Sequence, residues 1–305
     1  MLTASLLHRS RSESDNAITI TGNSAAWIAG LTDPGIKTDV TNLTASGTLG
    51  YGSALQILND IGARVAASGT VTLAEFIDLQ TITANLNNGI ATPDYVVSIM
   101  TQLVDGSPSN VSWTGGAKTS VSLGNLHVGS TGTQLTELIG KWFLGTDLPI
   151  PTGEGATASQ LLYPSYQPFN QPLYGSTGAP AVADVLQGDV GDCELCSGVI
   201  ETVLNHPDDI QSMFLSEGNG VYGVRFYCGG KAVWVTVNDQ LPVYQGGLLY
   251  NGASTAIWAD LLEKAYAQVS SGGLTGQSVA NSYSNISADA PYTVFENTAV
   301  RLKRE

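Results

Sequence analysis

The chain has 305 residues, 43% of them apolar, and its 12 basic against 26 acidic side chains give a net charge of −14. That length holds one large or two ordinary domains around a sizeable core, and the acidity argues against nucleic acid or an anionic membrane surface as a partner. No stretch approaches the ~18 uninterrupted apolar residues of a membrane helix, and the N-terminus lacks the charged-then-apolar order of a signal peptide.

Three cysteines, an odd count, do not make a disulfide framework. The expectation is a soluble protein, cytoplasmic or otherwise in a reducing compartment, or exported without a cleaved signal peptide.

In chain order, residues 1–20 read as a disordered polar tail and 21–148 as a helical region of short helices separated by Gly, Ser, Thr and Asn turns. Thr72 and Glu75 form a capping box that opens an apolar-periodic run to about Leu86. Thr92-Pro93 predicts a helix through about Val104 with proline in its first turn. Ala45-Ser46-Gly47-Thr48 and Ala67-Ser68-Gly69-Thr70 each precede a helical pattern and read as the same turn chemistry used twice, since two copies are too few for a solenoid. Residues 149–180 are rich in Pro, Gly, Ser and Tyr and read as a linker, or as an extended segment draped over a domain surface.

From residue 181 the pattern changes. A helix is predicted from Cys193 to about Leu204 and ends at His206-Pro207, because proline cannot continue it. Two strands, Tyr222–Cys228 and Ala232–Val237, join at Gly229-Gly230, which suits a tight hairpin. A further helix after Ser254 carries Ile257, Trp258, Leu261, Leu262, Ala265, Tyr266 and Val269 on one face, a broad buried stripe. The fold class is α+β and mostly helical.

The chemistry concentrates in Gln187-Gly188-Asp189-Val190-Gly191-Asp192-Cys193. A cysteine where a helix begins meets unsatisfied N–H groups and a partial positive charge, which favour the thiolate and make the sulfur nucleophilic. Gln187 supplies a side-chain amide of the kind that stabilises an oxyanion. The segment resembles the nucleophile motif of calpain family cysteine proteases, Q-G-x-x-G-D-C. The resemblance extends through Phe226, Trp234–Val237, Asn238–Pro242 and Trp258–Ala267 in the family's order, over about residues 180–300. Glu137–Thr146 is similar to the leader regions of bacterial calpain-like proteins, with no chemistry attached.

The resemblance implies that residues 181–305 form the cysteine half of a papain-like catalytic core. Such chemistry needs a histidine and an Asn or Asp ~130–150 residues beyond the cysteine, and 112 residues follow Cys193. His206 lies roughly 20 Å along the helix from Cys193, and His8 and His127 precede the motif in polar sequence; all three read as solvated. The terminal run Val300–Glu305 is unlike the glycine-rich crossover into the family's second subdomain.

The implied function is therefore a calpain-like endopeptidase acting on a protein or peptide, with Cys193 as nucleophile, Gln187 in the oxyanion hole, and a second subdomain supplying His and Asn. On this reading the chain alone has little or no activity. The alternatives are a catalytically dead protein-binding module and a thiol redox protein using Cys193 and Cys196.

Glu194 stands where the family's aromatic residue usually follows the nucleophile, and its carboxylate opposes the effect of the helix end. Cys193 and Cys196 form a C-x-x-C, but without a second such pair a zinc site lacks ligands, and Cys196 and Cys228 read as small core residues. No cofactor is required. Asp184 matches an aspartate that ligates calcium in the family's animal members, while the glutamate expected with it has no counterpart near Asn281–Ile286; calcium needs six to eight oxygens.

Overall fold

A computed structural model of the chain describes residues 25–151, 164–228, 230–252, 255–269, 271 and 281–286. The expected tail, His8 and the Val300–Glu305 run lie outside the described residues.

The first half is built of helices α1 (Pro34–Leu43), α2 (Tyr51–Ser68), α3 (Leu73–Ala84), α4 (Asp94–Val104) and α5 (Gly132–Ile139), with a two-stranded ribbon of β1 (Ser112–Trp113) and β2 (Val121–Ser122) before α5. The capping box forms as expected: Thr72 Oγ1 accepts from Glu75 N, and Glu75 Oε2 accepts from Thr72 N. At α4, Pro93 is the residue that caps the helix and Asp94 starts it, one position later than the sequence suggests. The paired Ser-Gly-Thr turns differ in place: Gly69 caps the end of α2, while Thr44 caps α1 and Gly47 follows it in the turn. Both glycines take positive φ, a conformation that glycine adopts without steric cost.

The second half begins with β3 (Ser165–Pro168), inside the segment read as a linker. It lies antiparallel on β7 (Gln240–Tyr244), whose other edge carries β8 (Gly247–Leu248). After α6 (Cys193–Asn205) and α7 (Pro207–Met213), β4 (Phe214–Gly218), β5 (Val221–Cys228) and β6 (Lys231–Asn238) form an antiparallel meander. The β5–β6 register pairs Cys228 with Lys231, in keeping with the hairpin expected at the double glycine, of which Gly229 lies outside the described residues. Strands β4 and β7 were not legible, since Phe-Leu-Ser-Glu-Gly and Gln-Leu-Pro-Val-Tyr are short and interrupted by poor strand formers. Helix α8 (Trp258–Val269) is buried on every side, including Glu263 and Lys264, where the apolar period predicts one buried stripe.

Two apolar cores result, and β6 touches both. Val235 and Val237 face the second core, while Trp234 packs in the first. Tyr95 of α4 and Thr236 share a hydrogen bond of 2.7 Å, and Thr236 Oγ1 donates on to the carbonyl of Trp142. Gly145, at φ 62°, ends a π-helical turn over Gly140–Leu144. A Cβ there would lie 2.4 Å from the Val237 carbonyl carbon, so glycine is needed for both the left-handed backbone and the close approach. The leader-like segment therefore has a structural role.

Lys141 and Asp147, 1% and 0% exposed, form an ion pair beneath this contact. The carboxylate also accepts from Thr114 N, Thr114 Oγ1 and Gly115 N. Asn281 Nδ2 donates to the Asp147 carbonyl, and Ile150 N to the Asn281 carbonyl. An isolated buried ammonium is costly, so Asp147→Ala is expected to destabilise the protein by about 3–5 kcal/mol. Urea denaturation measures this, and a loss under about 1 kcal/mol would mean that the pair does not hold the loop.

Candidate active site

The motif residues occupy one loop and the start of one helix. Cys193 is the first residue of α6 and is exposed. Its backbone N–H is one of the first-turn donors that an α-helix leaves without a partner. Asp192, the residue before it, is buried and makes no side-chain cap to the helix. Glu194 lies exposed in the first turn.

Gln187 is exposed, and its Nε2 donates to the carbonyl of Val190 at 3.0 Å. This bond folds the loop back on itself and uses one of the two amide hydrogens. Gly188 lies flat against the neighbouring strand connection: a Cβ there would fall 1.7 Å from the Tyr250 carbonyl oxygen. Asp189 N donates to the Leu249 carbonyl at 3.0 Å beside it. The first glycine of the motif is thus a steric requirement of loop docking.

Asn251 ties that loop to α8. Its Oδ1 accepts from Leu186 N at 2.7 Å, and its Nδ2 donates to the Asp184 carbonyl and to Asp260 Oδ2. Its backbone N donates to Glu263 Oε2 at 3.0 Å. The Asp184 carboxylate, the calcium candidate, takes the indole N–H of Trp258 at 2.7 Å and the backbone N–H of Ala181 on the same oxygen. Its observed work is to fix a tryptophan. Among the described residues no three His, Cys, Asp or Glu side chains gather into a set that could hold a metal.

Asp184, Asp192, Asp260 and Glu263 are all buried around Asn251. Burial raises the Glu263 carboxyl well above its usual range, and the Asp192 charge raises it further; Glu263 and Asp192 are hydrogen-bonded to each other. Burial likewise raises Asp260, opposed by the Asn251 hydrogen bond and assisted by Asp184. One turn into α6, Cys196 Sγ contacts Asp192 Oδ1 at 3.6 Å. Burial, then the Asp192 and Glu263 charges, push its thiol far up.

A small, partly open cavity of about 20 Å³, room for little more than one water, lies beside the start of α6. Gln187, Asp192, Cys196, Asn251 and Glu263 line it, and Cys193 does not.

The two described histidines lie on other elements, away from the motif loop. His206 is exposed at the far end of α6, its N–H bonded to the Thr202 carbonyl. His127 is an exposed residue before α5 whose Nδ1 contacts Ser130 Oγ and the Asn125 carbonyl. Neither is placed to take a proton from Cys193. Cys196 and Cys228 are partly buried, and all three thiols are free.

Residues 168–296 match the sequence profile described as "Calpain family cysteine protease". This segment is a calpain family cysteine protease domain. It is 32% identical over 112 residues to the calpain-2 catalytic subunit of Bos taurus, covering 32% of this chain and 16% of that protein. The corresponding subunit of Gallus gallus is 34% identical over 113 residues, with the same coverage. Calpain clp-1 of Caenorhabditis elegans is 35% identical over 95 residues, covering 28% of this chain and 12% of that protein. The chain therefore spans about a sixth or less of the length of these calpains.

Sequence reasoning missed Asn251, Asp260 and Glu263 as supports of the calpain-like loop. Only the acidic residues inside an apolar helix signalled them, and helical periodicity assigns such residues to solvent. No helix among the described residues is long and apolar enough to cross a membrane.

Two outcomes follow from this geometry. Gly188→Ala should displace the Gln187 loop and destabilise the protein by about 1–3 kcal/mol, measured by thermal denaturation. The raised Glu263 and Asp260 carboxyls keep protons in the folded state that the unfolded chain releases. Their stabilising contribution is complete below the ordinary carboxylate value of about 4 and is lost as pH rises through the raised values. In Glu263→Gln, which keeps a neutral donor toward Asp192, Tm should therefore fall less between about pH 5 and pH 8 than in the wild type. Parallel curves for the two proteins would contradict the assignment.

Proposed function

We propose that Cys193 is the nucleophile of a calpain-like cysteine endopeptidase that acts on protein or peptide substrates. The observation that carries this reading is an exposed cysteine at the first position of α6, behind a loop whose glycine fits only in its docked place. The sulfur attacks the scissile carbonyl. The Cys193 backbone N–H and the second hydrogen of the Gln187 amide receive the oxyanion, each a donor preorganised toward charge that develops during the attack.

The proton acceptor and the residue that orients it, a His and an Asn, come from outside the described residues, on a second subdomain closing over the cysteine. Calcium, if it acts here, requires ligands beyond Asp184, whose carboxylate is already engaged by Trp258 and Ala181.

The chain by itself should hydrolyse peptides at or near background. A peptidyl chloromethyl ketone should nevertheless label Cys193 in preference to the partly buried Cys196 and Cys228, as peptide mapping would show. Where a His- and Asn-bearing partner restores turnover, Gln187→Ala should lower kcat about 10²- to 10³-fold. Strong cleavage by the chain alone, lost in Cys193→Ala, would refute the need for an external base.

A second reading, a protease-derived module that binds protein without cutting it, draws support from Gln187 bonding to Val190 and from Glu194 in place of an aromatic. Tight binding of a peptide with no labelling of Cys193 would favour it.

A further inference from the structure

Cys193 and Cys196 occupy the first and fourth positions of α6. With a 1.5 Å rise per residue this spacing puts their Cα atoms about 5 Å apart, inside the roughly 4.4–6.8 Å that a disulfide spans. The two thiols are unequal. Cys193 is exposed at the helix N-terminus, whereas Cys196 is partly buried with its sulfur against the Asp192 carboxylate at 3.6 Å. Cys228 ends β5 at the hairpin and belongs to another element.

An exposed thiol at a helix start is where an oxidant attacks, and a neighbouring thiol with a carboxylate at hand is what resolves the product. We infer that peroxide converts Cys193 and Cys196 into an intrahelical disulfide that reversibly blocks the nucleophile. The disulfide rests on the thiol geometry alone; only its effect on proteolysis rests on the reading of Cys193 as nucleophile.

The Cys193 thiolate attacks one oxygen of hydrogen peroxide. The O–O bond breaks, a sulfenic acid forms, and the departing hydroxide leaves as water with the proton that Cys193 had released. Cys196 then attacks the sulfenic sulfur, forming the S–S bond and breaking S–O. Its proton passes through Asp192 to the departing hydroxide, giving the second water. Two thiols lose two electrons and two protons, and one peroxide becomes two waters.

Cys196 is partly buried with its sulfur against Asp192 Oδ1, so closure depends on Asp192 taking its proton. A thiol reductant reverses the block by exchange at the exposed sulfur.

The test treats the Cys228→Ser chain with hydrogen peroxide and follows intact mass and peptide maps, with circular dichroism as a check on folding. The expected main product is two hydrogens lighter, cross-linked between Cys193 and Cys196, and restored by dithiothreitol. Adding Cys196→Ser should abolish the cross-link and raise sulfenic acid at Cys193, trapped by a 1,3-dione, by about tenfold. Asp192→Asn should slow closure while leaving sulfenic acid formation intact. If that variant misfolds, the comparison with Cys196→Ser alone decides. Oxidation of Cys193 onward to sulfinic acid in the parent without cross-linking, or equal sulfenic acid with and without Cys196, would overturn the inference. Neither readout depends on peptidase activity.

Discussion

Four carboxyls are buried beneath the cysteine helix, and Asn251 bonds two of them, Asp260 and Glu263. A buried charge without a partner is among the most destabilising features a core can hold. Asn251 meets the problem with one side chain and one backbone N–H, which reach Asp260, Glu263, the Asp184 carbonyl and Leu186 N. Glu263 and Asp192 bond to each other, burial having raised Glu263. The Gln187–Cys193 loop is tied to α8 through these hydrogen bonds.

A second constraint sets the two halves of the molecule against each other. Strand β6 presents valines to one core and Trp234 to the other, and Thr236 bridges Tyr95 and the Trp142 carbonyl. The Lys141–Asp147 pair stabilises the turn that carries Trp142 and Gly145. Asn281 and Ser282, read from sequence only as a region lacking a calcium glutamate, clasp Asp147 and Ile150. The N-terminal helices thus form part of the packing that holds β6 under α8, where Lys264 donates to the Asn238 and Gln240 carbonyls.

Much of the site was legible as a string. The helix start at Cys193, its end before Pro207, the hairpin at the double glycine and the capping box at Thr72 all rest on local rules: a cap, a missing N–H, a turn that needs positive φ. The position of Cys193 at a helix start was legible for the same reason, whereas the bond from the Gln187 amide to the Val190 carbonyl was not. Asp184 was legible as a carboxylate, but its engagement by Trp258, 74 positions away, was not.

Sequence by itself determined the mostly helical α+β class, the turn chemistry and the exposed thiol at a helix terminus, because each depends on interactions within a few residues. Only the tertiary structure decided that α8 is buried on every face, that Gly188 and Gly145 are glycine because another backbone lies against them, and that β3 belongs to a sheet with β7. Those facts depend on which distant surfaces meet. Burial and close approach are properties of such pairs, and no local pattern records the partner.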